Sequence, residues 1–155
     1  MAVPQLSRLL AKIRKIVTFF HRSTTAAHVL KTKQELLQLP NHKLIQDIST
    51  RWNSSYNMIE RYLEQHTAVF SAITEKTLKK NVIVILSEND VRLAENVITV
   101  LKPLKTVTTL MCTESSPSAS MVLPMKMTIL KSMALSDDDS PAVRDVKTAI
   151  RNDLQ

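Results

Sequence analysis

Glycine is missing altogether from these 155 residues, where average usage of about 7% would supply roughly 11. No Gly-rich phosphate loop, dinucleotide fingerprint or glycine-flanked nucleophile elbow can be built without it. A hairpin-rich β protein is disfavoured too, because its tight turns draw on glycine. Cys112 is the one cysteine, which excludes an internal disulfide and any multi-cysteine zinc cage. Aromatics make up 4%, with Trp52 the one tryptophan. No run of 18 apolar residues exists, so nothing in the sequence reads as a membrane span. Acid is absent from the first 34 residues.

Against these absences stand 44% apolar and 23% charged residues, enough to bury a core in about one domain. Net charge is +7. Arg8, Lys12, Arg14, Lys15, Arg22, Lys31 and Lys33 carry all of it, because the cations and acids from Glu35 onward cancel. A basic field so placed attracts phosphates or anionic lipid heads.

Leu6, Leu9, Leu10, Ile13, Ile16, Val17 and Phe20 recur at spacings of three and four and predict an amphipathic helix. Ser23-Thr24-Thr25 offers a break and a new N-cap, and a second helix follows to about Leu39, ended by Pro40-Asn41. Leu44–Ile48 is a candidate strand. A helix is expected from about Asn53, with Tyr56, Ile59, Tyr62 and Leu63 on one stripe, and another over about 66–79. Val82–Leu86 reads as a strand on its β-branched content, or as a buried connector or helix start. Ser87-Glu88-Asn89-Asp90 has the capping-box pattern. The helix it opens carries Val91, Ala94, Val97, Ile98 and Leu101, and Pro103 is expected to kink or end it. Periodicity resumes through Leu104, Val107 and Leu110. Residues 113–120 are a loop by composition. An apolar, Met-rich stretch runs from Met121 to Met133, with Pro124 placed in a first helical turn. After the polar break at 136–141, Ser140 and Pro141 open a last helix. The expectation is a mainly α fold with one or two short strands.

Few residues carry obvious chemistry. His21, His28, His42 and His66 lack metal-ligand spacing and read as surface or core histidines. Cys112 lies on an apolar stripe and reads as a small hydrophobe. Asp137-Asp138-Asp139 reads as a solvated charge run before a helix, since the offset ligands and the glycine of a calcium loop are missing. Met121, Met125, Met127 and Met133 fit core filler or an adaptable groove. The N-terminal stretch fits an organelle presequence, a membrane-surface helix, one wall of a nucleic-acid channel, or a core helix with a solvated basic face.

Thr50-Arg51-Trp52-Asn53-Ser54 is the most unusual local feature, at an expected strand-to-helix junction. A tryptophan there can stack on an unpaired base while its arginine neighbour takes a phosphate. Alternatively it anchors helix packing, with Arg51 paired to Asp47.

The stretch Asp47-Ile48-Ser49-Thr50-Arg51-Trp52-Asn53-Ser54-Ser55-Tyr56-Asn57-Met58-Ile59-Glu60-Arg61 resembles the Arg-Trp block of the hAT (hobo/Ac/Tam3) transposases. It is closer still to the zinc finger BED domain-containing proteins domesticated from them. Residues 16–23 and 101–108 look like the same family. The resemblance implies an RNase H-like fold interrupted by an all-α insertion domain. Residues 1–50 would be a core fragment of two helices and a strand, and 51–155 an insertion-domain segment. It implies that Trp52 stacks on a displaced base and that Arg51 contacts the DNA backbone. The departures are as telling. The family's two Asp and one Glu of catalysis are not identifiable here, and neither are its Cys/His zinc finger and dimerisation segment. Two-metal phosphoryl chemistry needs converging carboxylates, so no enzymatic activity is expected.

The resulting expectation is a non-catalytic fragment of a domesticated transposase-like protein, nuclear, DNA-associated and a relative of transcription regulators. Arg8, Lys12, Arg14 and Lys15 would supply weak, largely electrostatic DNA attraction, and Arg51 and Trp52 local contacts. No cofactor, metal or membrane is implied. The rival reading is a helical protein-interaction module that binds no DNA and uses residues 121–133 as its contact surface. A presequence over residues 1–25 is the third. A segment cut from an interrupted sheet would also leave a strand edge unpaired.

Overall fold

The computed structural model describes residues 3–78, 84–113 and 119–155. These form six helices: α1 (Pro4–Arg22), α2 (Thr24–Leu36), α3 (Trp52–Ile73), α4 (Glu88–Thr113), α5 (Ala119–Ser132) and α6 (Pro141–Leu154). The fold is mainly α as expected, but no strand occurs among the described residues.

The first core is made by α1 to α4. Leu9, Ile13, Ile16, Val17 and Phe20 of α1 form the stripe that the spacing predicts, and all are buried. They meet Ala26 and Leu30 of α2, Met58, Ile59, Tyr62 and Val69 of α3, and Ala94 and Val97 of α4. Each buried Leu, Ile, Val, Phe or Met among them contributes roughly 1.5–3 kcal/mol by leaving water. A second core gathers Val3, Val100, Ile129, Met133, Val143, Val146 and Ile150, so α5 and α6 sit on the far half of α4. Leu6 and Leu101 pack against both cores. The first core draws on residues either side of position 50, where the sequence places its domain boundary.

Three caps form as read. Ser23 Oγ accepts from the Ala26 N–H at 3.1 Å and starts α2. At α4 the Ser87 N–H donates to Asp90 Oδ2 at 3.0 Å and the Asp90 N–H donates to Ser87 Oγ at 3.2 Å, a reciprocal box. Ser140 caps α6 at 3.4 Å.

Several expectations need correction. The two helices expected after Asn53 are one, α3, because its buried stripe continues without a break through Gln65 and Ala68. α2 stops at Leu36, before Pro40, with Gln38 in the left-handed region at φ 55°. Of the two outcomes expected at Pro103, a kink or an end, the end does not occur, since Pro103 lies inside α4. Pro124 is likewise interior to α5 and not in its first turn. Cys112 is exposed, not packed. Asp139 is not solvated: Lys147 Nζ reaches its two carboxylate oxygens at 2.9 and 2.7 Å, and the Ser136 N–H donates to it at 2.8 Å.

The expected strand at Leu44–Ile48 is irregular, for a reason visible in its hydrogen bonds. Backbone groups that a sheet would pair are taken by side chains of the surrounding helices. His21 Nε2 donates to the Leu44 carbonyl at 2.8 Å, Arg61 to that of Lys43 at 2.9 Å, and Gln34 to that of His42 at 2.9 Å. The buried Gln65 donates to the Pro40 carbonyl at 2.9 Å and accepts from Gln34 at 2.8 Å. Ser54 Oγ accepts from the Ile48 N–H at 2.8 Å. The carbonyls of Pro40, His42, Lys43 and Leu44 and the N–H of Ile48 are thus satisfied without a neighbouring strand. Of the second expected strand, residues 82 and 83 lie outside the described residues, and 84–86 are irregular.

Candidate nucleic-acid interface

A helix advances about 100° per residue, so Arg8, Lys12 and Lys15 share one face of α1 while Arg14 lies well round from them. The four cations read together from the sequence therefore part company. Arg8, Lys12 and Lys15 line one side of a groove of about 800 Å³. Its other walls are the start of α4, with Asn89, Asp90, Arg92 and Asn96, and the start of α6, with Ser140, Pro141 and Ala142. Asp90 is the one carboxylate among these lining residues, and Lys12 Nζ neutralises it at 2.7 Å. Burial opposes ionisation of Asp90, but the bonds from Lys12 and Ser87 outweigh it and hold the carboxyl below the usual range. The same carboxylate closes the α4 capping box, so one residue fixes the α4 start and ties it to α1. Arg8 and Lys15 are exposed and have no side-chain partner among the described residues. Arg92 pairs with Glu88 on an exposed turn at 3.1 Å, a contact of little energetic weight. Backbone N–H groups at the start of α6 carry no acid in their first turn and add a positive end to the groove.

Arg14 sits on another side and is committed elsewhere. Its guanidinium grips Asp47 with Nε at 2.8 and 3.0 Å and Nη2 at 2.6 Å. The Asp47 side chain is 1% exposed, and Ser55 Oγ of α3 donates to it at 2.9 Å. The bond from Arg14 foremost, helped by Ser55, holds the Asp47 carboxyl below its ordinary range. The expected Arg51–Asp47 pair is therefore replaced by Arg14–Asp47, which ties α1 to the start of α3. Arg51 is left exposed, with no side-chain partner among the described residues.

Trp52 is the first residue of α3 and 42% exposed. It borders an apolar groove of about 680 Å³ with Leu6, Leu10, Arg14, Tyr56, Leu104 and Leu154 among its walls. Trp52 thus both lines the groove and meets solvent. Asn53 next to it has a buried Oδ1 with no partner among the described residues.

The candidate residues thus fall into two groups, Arg8–Lys12–Lys15 in one groove and Arg51–Trp52 at the head of α3. Sequence reading missed the α4 and α6 contributions to the first groove. The capping box was the available signal for α4, since it fixes where Asp90 and its neighbours start. Nothing local in Ser140–Ala142 marks a groove wall 130 residues from Arg8. Among the described residues no group of three His, Cys, Asp or Glu gathers to hold a metal ion. No described helix is long and apolar enough to cross a membrane.

Comparison with known proteins adds lineage to this geometry. Residues 2–100 match the family model of the ZBED1 RNase-like helical domain. The chain is 34% identical over 120 residues to zinc finger BED domain-containing protein 4 of Homo sapiens, an alignment covering 77% of this chain and 10% of that protein. The chain thus spans about a tenth of the length of this curated relative. No solved structure matches.

Proposed function

The chain belongs to the family of the ZBED1 RNase-like helical domain, among the zinc finger BED-type relatives derived from hAT transposases, and from that premise we propose that it is a non-catalytic, DNA-associated nuclear protein segment. The observation that carries the reading is the α1 groove. Three cations on one helix face meet two helix starts, and because Lys12 and Asp90 neutralise each other, Arg8 and Lys15 leave that face with a net positive charge. Such a surface neutralises backbone phosphates without reading bases. Arg51 and Trp52 supply a second contact, a free guanidinium beside a half-exposed indole, suited to a phosphate and an unpaired base. Arg14 serves by positioning: its grip on Asp47 fixes the start of the helix that bears Trp52. DNA association sets the location in the nucleus.

The test is binding of the purified chain to a labelled DNA hairpin and to a plain duplex across a salt series. Affinity falls steeply with salt, and an Arg8→Gln/Lys15→Gln variant lowers the logarithmic slope by about one per contact removed. Trp52→Ala leaves the duplex affinity and removes the preference for the hairpin. No binding at low salt, or a slope that ignores Arg8 and Lys15, overturns the reading.

A further inference from the structure

Helix α5 buries little for its composition. Eight of its fourteen residues are apolar, yet Ile129 is the one buried within it. Leu123 is 67% exposed, and Val122 and Met127 are exposed with it. Leu110 and Met111 at the end of α4 are exposed as well. Five residues, 114–118, separate the two helices, so the end of α4 and the start of α5 lie within about 20 Å of each other. The end of α4 that carries Leu110 and Met111 and the start of α5 are therefore neighbours. An apolar surface of this kind on a folded domain marks a contact site more often than chance.

Charge identifies the occupant. From Asn96 to Ser132 the sequence has four lysines, Lys102, Lys105, Lys126 and Lys131, and one acid, Glu114. Lys105 is occupied by Glu60 at 3.2 Å and by the Tyr56 ring. Lys102, Lys126 and Lys131 make no ion pair among the described residues. Leu123, Met127 and Lys131 follow one another at intervals of four, with Val122 and Lys126 on the adjoining row, so apolar side chains run into basic ones along one face. A second copy of this chain would set lysine against lysine. Nucleic acid would satisfy the lysines and leave the apolar side chains in water.

We propose that the outer face of α5 and the end of α4 dock an amphipathic helix of a partner protein, apolar along one stripe and bordered by Asp or Glu. Leu123 and Met127 would fill the apolar contact, with methionine adapting to the partner's shape. Lys126 and Lys131 would fix its orientation and exclude basic competitors. This surface is separate from the α1 groove, and it stands whether or not the chain binds DNA.

The test uses the full chain and a labelled helical peptide of leucine and glutamate, followed by fluorescence anisotropy. The acidic peptide binds at least about tenfold more tightly than the same peptide with glutamine, a difference of about 1.4 kcal/mol. Leu123→Glu/Met127→Glu abolishes binding while the helical circular dichroism is kept, because both residues are exposed. Lys126→Glu/Lys131→Glu transfers the preference to a leucine–lysine peptide. Equal binding of acidic and neutral peptides overturns the proposal, as does failure of the charge swap. So does sedimentation showing a dimer that Leu123→Glu dissociates, or binding to phosphatidylserine vesicles with none to the peptide.

Discussion

Asp47 is a buried carboxylate whose charge is set by its neighbours. Arg14 grips it from α1 and Ser55 from α3, and the bond from Arg14 is the larger influence lowering its pKa. A folded-state pKa below the unfolded one gives stability that is complete above the ordinary aspartate value, about 3.9, and is lost as pH falls through the lowered value. Asp139, held down chiefly by Lys147, acts in the same direction. Thermal melts should therefore lose stability below about pH 4 in the native chain, and Asp47→Asn should flatten part of that loss. Asp47→Asn should itself cost about 2–3 kcal/mol at neutral pH, since it leaves Arg14 partly buried and unpaired. A flat melt profile between neutrality and acid would refute this role. Trp52 sits at the opposite extreme of commitment. Full truncation of a buried tryptophan costs about 3–5 kcal/mol, so a ring this exposed should lose about 1–2 kcal/mol as Trp52→Ala. The Arg-Trp pair stood out in the sequence because both residue types are distinctive. The ion-pair partner of Asp47 did not, because Arg14 and Arg51 are equally plausible from composition and the choice is made by helix geometry 33 residues away.

At the scale of elements, the helices were legible wherever an apolar stripe and a cap agreed. α1, the Ser23 break, the Ser87 box and the Ser140–Pro141 start follow from local chemistry alone. The strand at 44–48 misled because an apolar run says that a segment is buried, not what pairs its backbone. His21, Gln34, Arg61 and Gln65 supply bonds to the carbonyls between Pro40 and Leu44 from three helices, 8 to 25 residues away in sequence. The α2 end shows a different cost. A chain without glycine must place another residue in the left-handed position after a helix, and here Gln38 takes it at φ 55°. A side chain in that region costs about 1 kcal/mol or more, part of which glycine returns through its unfolded-state freedom. Gln38→Gly should therefore raise stability by about 0.5 kcal/mol, read as a higher denaturation midpoint at unchanged slope. A lower midpoint would show that Gln38 contributes more through its contacts than its backbone costs.

Across the whole molecule, two cores share α4, and Leu6 and Leu101 touch both. Helices that share side chains in this way should unfold together. Circular dichroism and Trp52 fluorescence should therefore trace one transition with the same midpoint, whereas two separated midpoints would mean that α5 and α6 melt on their own. The sequence legibly marked the basic end of the chain and the mainly helical class. It did not show that the basic stripe divides between two faces, although the 100° advance per residue makes that division calculable once the helix is known. The groove walls contributed by Arg92 and Ser140 depend on how α4 and α6 cross α1, which no local pattern encodes. The stretch between Pro40 and Ile48 has a last consequence, for how such a part travels between proteins. The carbonyls of Pro40, His42, Lys43, Leu44 and Ile48 are met by side chains of the same few helices, so those groups ask nothing of an adjoining β-layer. Spliced between unrelated domains, this helical block would bring its own fasteners with it.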